Sequence, residues 1–376
     1  MTKPVKYTVE QLIRPSVRKL SAYHVPDARG LTKLDAMESP YNLPAELQTA
    51  WLEAVRHVAL NRYPGAEMAN LREQLKTAMD VPAGMDVLLG NGSDELILIL
   101  ALGLVDAPYA AQHKRPVILS VDPAFVMYEL SANAVGLDYV GVPLKSDFSL
   151  DVAAMLAAIT QHQPALIYIA YPNNPTSNLF GVQDIETIIK AAPGLVVVDE
   201  AYHPFAQASF MSRLPEFDNL LVMRTVSKMG LAGIRLGLLA GRPEWIGEFD
   251  KLRFPYNINV LTQATALFAL QHLDVYAAQA TEIRTERARL LDCLQKIPGV
   301  QVFPSDANFI LFKVPTNQAA AINQGLLKDK VLIKDMSKSF AVLKDYLRVT
   351  VGTAAENDQF LASLEHLMAC AVKLAK

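Results

Sequence analysis

Thr225-Val226-Ser227-Lys228-Met229-Gly230-Leu231-Ala232-Gly233-Ile234-Arg235-Leu236-Gly237 gathers hydroxyls, a lysine, glycines and an arginine into one short stretch. It follows an apolar run, Asn219 to Arg224, that reads as a buried strand. A lysine just after a strand, among small residues, can sit at a sheet edge facing a cleft. Desolvation and neighbouring cations there favour the neutral, nucleophilic amine. Thr225, Ser227 and Arg235 make a cradle suited to a phosphate monoester. Lysine and cradle together suggest pyridoxal phosphate held as a Schiff base. Read alone, the stretch also fits a surface loop with ordinary charges.

On either side of this stretch, strand-like and helix-like segments alternate. The strand candidates are Asp86–Leu89, Val117–Ser120, Asp138–Val142, Ala165–Ala170, Leu195–Val198, Leu220–Met223 and Leu236–Ala240. Helix-length patterns at 94–105, 124–135, 150–161 and 183–191 separate most of them. That alternation predicts an α/β fold: a large three-layer unit around a mainly parallel sheet. In such sheets ligands sit beyond the carboxyl ends of the strands, where the informative motifs fall. Residues 1–43 read as an arm without sustained periodicity, and 44–258 as the large unit. The remainder, 259–376, reads as a smaller α+β unit entered through a long helical region near 259–295. Short strands near 300–314 and 346–351 and a last helix near 356–374 complete it.

Three motifs share the carboxyl-end position. Gly90-Asn91-Gly92-Ser93-Asp94-Glu95 follows a strand and opens a helix, so Gly92, Ser93 and the helix N–H groups suit a phosphate; an ordinary capped glycine turn reads the same way. In Tyr171-Pro172-Asn173-Asn174-Pro175-Thr176 two prolines fix the loop, and an asparagine amide can polarise a pyridine 3-oxygen, although Asn-Pro is also a common turn. Val196-Val197-Val198-Asp199-Glu200-Ala201-Tyr202 ends a hydrophobic strand on a carboxylate, which must be paired or neutralised. A pyridinium nitrogen is a fitting partner for Asp199, with Tyr202 reaching the same pocket. A metal-binding aspartate is the rival, but no Gly-Lys-Ser/Thr phosphate loop accompanies it. Within Asp122-Pro123-Ala124-Phe125-Val126-Met127-Tyr128, Phe125 can stack on a planar ring or serve as plain core.

The totals exclude other classes. Among 376 residues, Lys plus Arg number 35 and Asp plus Glu 38, a net charge of -3, so nothing points to nucleic acid or an anionic membrane. Mean hydropathy is +0.18. The longest uncharged apolar run, Leu96 to Val105, is too short to span a bilayer. The N-terminal residues show no apolar signal core, so no export is expected. Two distant cysteines, Cys293 and Cys370, fit a reducing cytoplasm rather than a disulfide framework. The seven histidines show no metal-ligand spacing, and no metal is expected.

In their order these motifs resemble those of fold-type I pyridoxal-phosphate aminotransferases over nearly the whole chain. Within that group the resemblance is greatest to the histidinol-phosphate aminotransferases. It rests on Arg18–Tyr23, Lys33–Tyr41, Arg62-Tyr63-Pro64-Gly65, Gly90–Glu95, Pro172–Thr176, Asp199–Tyr202, Ser227–Arg235 and Leu347–Thr353. The resemblance implies that Lys228 carries the cofactor and shuttles the proton, and that Asp199 pairs the ring nitrogen. Asn174 and Tyr202 would bind the 3-oxygen and Phe125 would stack on the ring. Gly92, Ser93, Thr225, Ser227 and Arg235 would hold the phosphate, with Tyr63 arriving from the second subunit of a homodimer. Tyr23, Lys334 and Arg348 would face the substrate, with Tyr256 and Asn257 nearby. The implied reaction exchanges the amine of L-histidinol phosphate with 2-oxoglutarate, giving imidazole acetol phosphate and glutamate in histidine biosynthesis. An aromatic amino-acid aminotransferase, a threonine-phosphate decarboxylase and a non-catalytic relative are the alternatives. The chain departs from the family where Met37 and Ser39 replace frequent asparagines, Ser177 a glycine, and Lys334 a second substrate-binding arginine.

Overall fold

The computed structural model describes residues 7–20, 22, 25–65, 67–108 and 115–374. Its strands, in chain order, are β1 Thr32–Lys33, β2 Asp86–Gly90, β3 Val117–Asp122, β4 Asp138–Pro143, β5 Leu166–Ala170, β6 Leu195–Asp199, β7 Leu220–Thr225 and β8 Gly237–Gly241. They continue with β9 Gln301–Val302, β10 Phe309–Lys313, β11 Val331–Leu332, β12 Lys334–Asp335 and β13 Tyr346–Thr350. All seven strands expected upstream of residue 258 form one sheet, ordered β2-β8-β7-β6-β5-β3-β4.

Pairings among β3, β4, β5, β6 and β7 are parallel, whereas β8 runs antiparallel to both neighbours. Chain length explains the exception. A parallel return needs a crossover of a dozen or more residues, usually a helix. The link from Thr225 to Gly237 holds only two short 3₁₀ turns, Val226–Met229 and Ala232–Ile234, so the chain doubles back. This leaves the quoted stretch as a loop at the carboxyl end of β7. Because β2 pairs with β8 in the register Gly90↔Gly237, the Gly90–Glu95 turn is set beside that loop. A Cβ on Gly237 would lie 2.7 Å from Gly92 C and 2.8 Å from Ser93 N, so only glycine permits the approach.

The central strands β5, β6 and β7 are buried on both faces and read as continuous apolar runs. Helices at Gly92–Gly103, Met127–Val135, Val152–His162 and Val182–Ala191 connect the strands, within two or three residues of their expected bounds at most ends. The hydrophobic core they share also takes in Ala266, Ala269 and Tyr276 from beyond residue 258.

Beyond Pro255 the expected single helical region is two helices, Val260–Leu270 and Leu273–Gln295. A second core packs Leu290, Leu294, Phe309, Phe312, Leu347 and Phe360 around a four-stranded antiparallel sheet, β12-β13-β10-β9. The helix Ala319–Lys328 was not expected, nor were the strands β11 and β12, whose two residues each carry no periodicity. The arm is partly ordered. Two single-turn helices, Val9–Leu12 and Pro15–Arg18, precede β1, which pairs in parallel with β11. The Thr350 N–H then bonds Leu34 O at 2.8 Å, and Leu34 and Met37 pack in the second core.

Candidate active site

A cavity of about 560 Å³, part of it open to solvent, lies at the carboxyl ends of β3, β5, β6 and β7. Ser93, Phe125, Asn174, Asp199, Tyr202, Thr225, Ser227, Lys228 and Arg235 line it. They come from five segments that end or follow β2, β3, β5, β6 and β7. Strand alternation points Asp199 and Thr225 into the cavity, and Gly92-Ser93 open the helix Gly92–Gly103.

The Lys228 amine donates to Ala36 O at 3.1 Å, and its Nζ stands 5.8 Å from the centroid of the Tyr202 ring. Burial, with the Arg348 cation as the next cause, lowers its pKa to about 8. Asp199 is 3% exposed. Burial raises its pKa to about 6, against the opposing effect of two donors, Tyr128 Oη at 2.6 Å and Ala201 N at 3.1 Å. Asn174 links two groups: its amide donates to Tyr202 Oη at 3.1 Å, and its oxygen accepts from Arg348 Nη1 at 2.6 Å. Burial holds the Tyr202 phenol well above its ordinary pKa, so it stays protonated.

The cradle is assembled from both sides of the β7–β8 loop. Thr225 Oγ1 donates to Ser227 Oγ at 2.9 Å, and Arg235, in the left-handed region at φ 52°, reaches Ser227 Oγ at 3.5 Å. The second arm of its guanidinium pairs with Asp94 at 3.0 Å. Gly92 has φ +77°, and a Cβ there would meet Arg235 Nη2 at 2.7 Å, so this glycine makes room for the guanidinium. Asn257 braces the turn from behind, donating to Leu89 O and Glu95 Oε2, each at 3.1 Å.

A second cavity adjoins the first and shares Met37, Asp94, Phe125 and Asn174 with it. Lys334 and Arg348, register partners on β12 and β13, stand there among Ala124, Val126, Met127, Met336 and Phe340. Arg348 is 7% exposed; it donates to Asp35 O at 2.9 Å and lies 5.3 Å from the Phe309 ring centroid.

Of the sequence-expected cofactor and substrate residues that are described, Gly92 and Tyr63 line neither cavity. Tyr63 is 79% exposed and stacks on Tyr256 at 4.8 Å, outside both. Tyr23 lies outside the described residues. Conversely, reading the sequence missed Tyr128 and Asp94. Tyr128 is fully buried, stacks on Tyr168 with centroids 4.3 Å apart, and donates to Asp199. Its place three residues after Phe125, in the same strand-end motif, was the available signal. Met37 also lines both cavities, with φ 54°. Ser177, standing where relatives carry glycine, has φ 66° and donates to Thr176 O at 2.6 Å.

A desolvated lysine, a buried aspartate and a cluster of hydroxyls with an arginine share one cavity at the carboxyl edge of this sheet, and similarity to known proteins says which class of enzyme carries them. The family model described as aminotransferase class I and II matches residues 29–364, and the chain belongs to that family. Curated relatives are narrower in kind. The chain is 57% identical over 356 residues to histidinol-phosphate aminotransferase 1 of Ralstonia nicotianae, covering 93% of this chain and 93% of the relative. It is 56% identical over 358 residues to histidinol-phosphate aminotransferase 2 of Cupriavidus pinatubonensis, covering 94% and 95%. Among solved structures, the histidinol-phosphate aminotransferase of Sinorhizobium meliloti in complex with pyridoxal-5'-phosphate superposes with a TM-score of 0.83 at 23% identity, covering 96% of this chain and 98% of that one. At that identity the likeness speaks to the fold. Among the described residues no helix is long and apolar enough to cross a membrane, and no acidic, histidine or cysteine cluster could hold a metal ion.

Proposed function

We propose that the chain is a pyridoxal-phosphate-dependent transaminase that exchanges the amine of L-histidinol phosphate with 2-oxoglutarate, giving imidazole acetol phosphate and glutamate. The observation that carries this reading is the adjacency of the two cavities: Lys228, Asp199 and the cradle in one, Arg348 and Lys334 in the other. The names of the 57% and 56% identical relatives supply the substrate.

The residues fit the cofactor. Gly92 leaves space for Arg235 where any side chain would fill the cradle. The buried Asp199, held only by neutral donors, suits a cationic ring nitrogen. When bound, pyridoxal phosphate supplies an aldehyde and an electron-withdrawing ring. Gly92, Ser93, Thr225, Ser227 and Arg235 would hold its phosphate, Asp199 its ring nitrogen, and Asn174 and Tyr202 its 3-oxygen, with Phe125 against the ring.

Lys228 is the group that takes the proton from the substrate Cα; a pKa near 8 leaves a useful fraction of its amine unprotonated near neutrality. Arg348 binds the anionic end of either amine, a bidentate partner for phosphate or carboxylate. Lys334 adds a point charge that favours the more highly charged phosphate, and Tyr23 is the further contact expected from the sequence. Met37 and Tyr202 line the cavity with Lys228, the Tyr202 ring centroid 5.8 Å from its amine.

The exposed Tyr63–Tyr256 stack, with Phe254 78% exposed beside it, supports a homodimer in which Tyr63 serves the partner's cradle. Two distinct hydrophobic cores support two main units, with Ala266, Ala269 and Tyr276 packing in the first core and Leu34, Tyr202 and Phe205 in the second. The free cysteines are in keeping with a cytoplasmic location.

Turnover of histidinol phosphate with and without 2-oxoglutarate, beside phenylalanine and tyrosine, tests the reading. Amine transfer that requires 2-oxoglutarate and is fastest with histidinol phosphate is expected. Carbon dioxide release without a keto acid, or faster turnover of phenylalanine, overturns it.

A further inference from the structure

Asp199 and Thr225 each have a chain neighbour that the cavity does not use. Glu200 follows Asp199 at the end of β6, and Arg224 precedes Thr225 at the end of β7. Alternation along the strands puts both neighbours on the opposite face of the sheet. There they form a buried ion pair, Glu200 0% and Arg224 4% exposed by side chain, with Arg224 Nη2 and Nε each 2.9 Å from Glu200 Oε2.

Every arm of the pair is tied down. Arg224 also donates to Met79 O at 2.9 Å and Ser209 Oγ at 2.8 Å. Glu200 accepts from Ser209 Oγ at 2.9 Å and Phe210 N at 2.5 Å. The backbone adds one more tie, Glu200 N to Met223 O at 2.8 Å. Neither side chain lines either cavity.

Burying an ion pair is a poor route to stability, because desolvation offsets the attraction, and apolar residues of similar volume often do as well. Cross-linking has a different consequence here. The two strand ends carry the group facing the ring nitrogen, Asp199, and the group that begins the cradle and the lysine loop, Thr225 to Lys228. Parallel neighbours joined only by their ladder can shear at their ends; a forked pair one residue from each functional group removes that freedom.

We propose that Glu200 and Arg224 are positioning residues: a charged clamp on the far face of the sheet that fixes the spacing between Asp199 and the Thr225–Lys228 loop. The proposal rests on the assignment of this cavity to pyridoxal phosphate.

The test uses the full chain and the double variant Glu200→Gln/Arg224→Met, which removes both charges at nearly constant volume. Three quantities are read: the unfolding midpoint of the cofactor-free protein, the dissociation constant of pyridoxal phosphate, and kcat and KM for the amine. A clamp predicts a midpoint within a few degrees of the parent's, cofactor binding weakened about tenfold, and kcat lowered by up to about 100-fold for an ångström-scale misplacement. KM should stay within about twofold, since Arg348 is untouched. Ser209→Ala, which removes from an exposed loop position the hydroxyl bonded to both Glu200 and Arg224, is the second arm and should weaken cofactor binding about threefold; it decides alone if the double variant does not fold. Parental cofactor affinity and kcat in the variants overturn the clamp, whatever happens to the midpoint. Failure of the parent itself to bind pyridoxal phosphate overturns the cavity assignment instead.

Discussion

Replacing Tyr128 with phenylalanine removes one atom, the hydroxyl that donates to Asp199 Oδ2 at 2.6 Å. The ring and its stacking on Tyr168 remain, so no cavity opens. Asp199 keeps the Ala201 N–H but loses the phenol. A hydrogen bond to a buried charge contributes about 1.5–3 kcal/mol, equivalent to about one to two pKa units. Burial already places this carboxyl at about 6, against 3.8 for the free group. The unfolded chain therefore releases the proton first, and the cofactor-free fold loses stability as pH rises from about 4 to about 6, by about 3 kcal/mol in all. Without the phenol the carboxyl moves above neutrality, and the loss extends to higher pH. Near pH 5 Asp199 is mostly protonated in both proteins, and Tyr128→Phe should cost about 1 kcal/mol, the worth of a neutral hydrogen bond. At pH 8.5 the cost should reach about 2–3 kcal/mol. Urea unfolding of the cofactor-free parent and variant at both pH values measures it. With pyridoxal phosphate bound, the difference between the two pH values should shrink, because Asp199 then has a cationic partner. A cost that is equal at pH 5 and 8.5, or smaller at 8.5, would refute the reasoning and make the Tyr128–Asp199 contact incidental to the charge.

Capture of pyridoxal phosphate by the cofactor-free protein should quicken with pH and level off above about 8, the value to which burial brings Lys228; Arg348→Met should move that midpoint upward, and Lys228→Ala should abolish borohydride-fixable labelling. Asp199→Asn should fold and still bind cofactor, yet lose several kcal/mol of transition-state stabilisation, on the order of a thousandfold in kcat; near-parental turnover would reduce the carboxylate to a structural role. Arg348→Ala should impair both half-reactions, whereas Lys334→Ala should impair histidinol phosphate more than glutamate. Single-turnover spectra with each amine would show it, and equal losses would remove the case for a phosphate-selective pocket.

The alternation of strands and helices from Asp86 to Gly241 was legible in the sequence because a buried parallel sheet demands uninterrupted apolar runs, and connecting helices demand length. The motifs at the strand ends could be read because lysine, aspartate and paired prolines in those places have few inexpensive alternatives. Tyr128 could not be singled out. Its hydroxyl finds Asp199 across 71 residues of chain, and an aromatic on a helix face looks the same whether it packs or donates. The pairing of Arg235 with Asp94, and the bridge that Asn174 makes between Tyr202 and Arg348, are likewise products of chain segments far apart in sequence.

By itself, then, the sequence determined local matters: which runs are strands, where the proposed phosphate cradle begins, and which residue types could hold an aldehyde and a ring nitrogen. Only the tertiary structure decided distances and charge states. It reversed β8, because the Thr225–Gly237 link is too short for a crossover, and so set Gly92 beside Arg235. It buried Lys228 and Asp199, shifting their pKa values toward each other to about 8 and about 6. It also put a paired Glu200 and Arg224 behind them. The physical reason is range. Periodicity and turn chemistry act over a few residues, whereas desolvation and hydrogen bonding depend on what the rest of the chain brings to within about 3–6 Å.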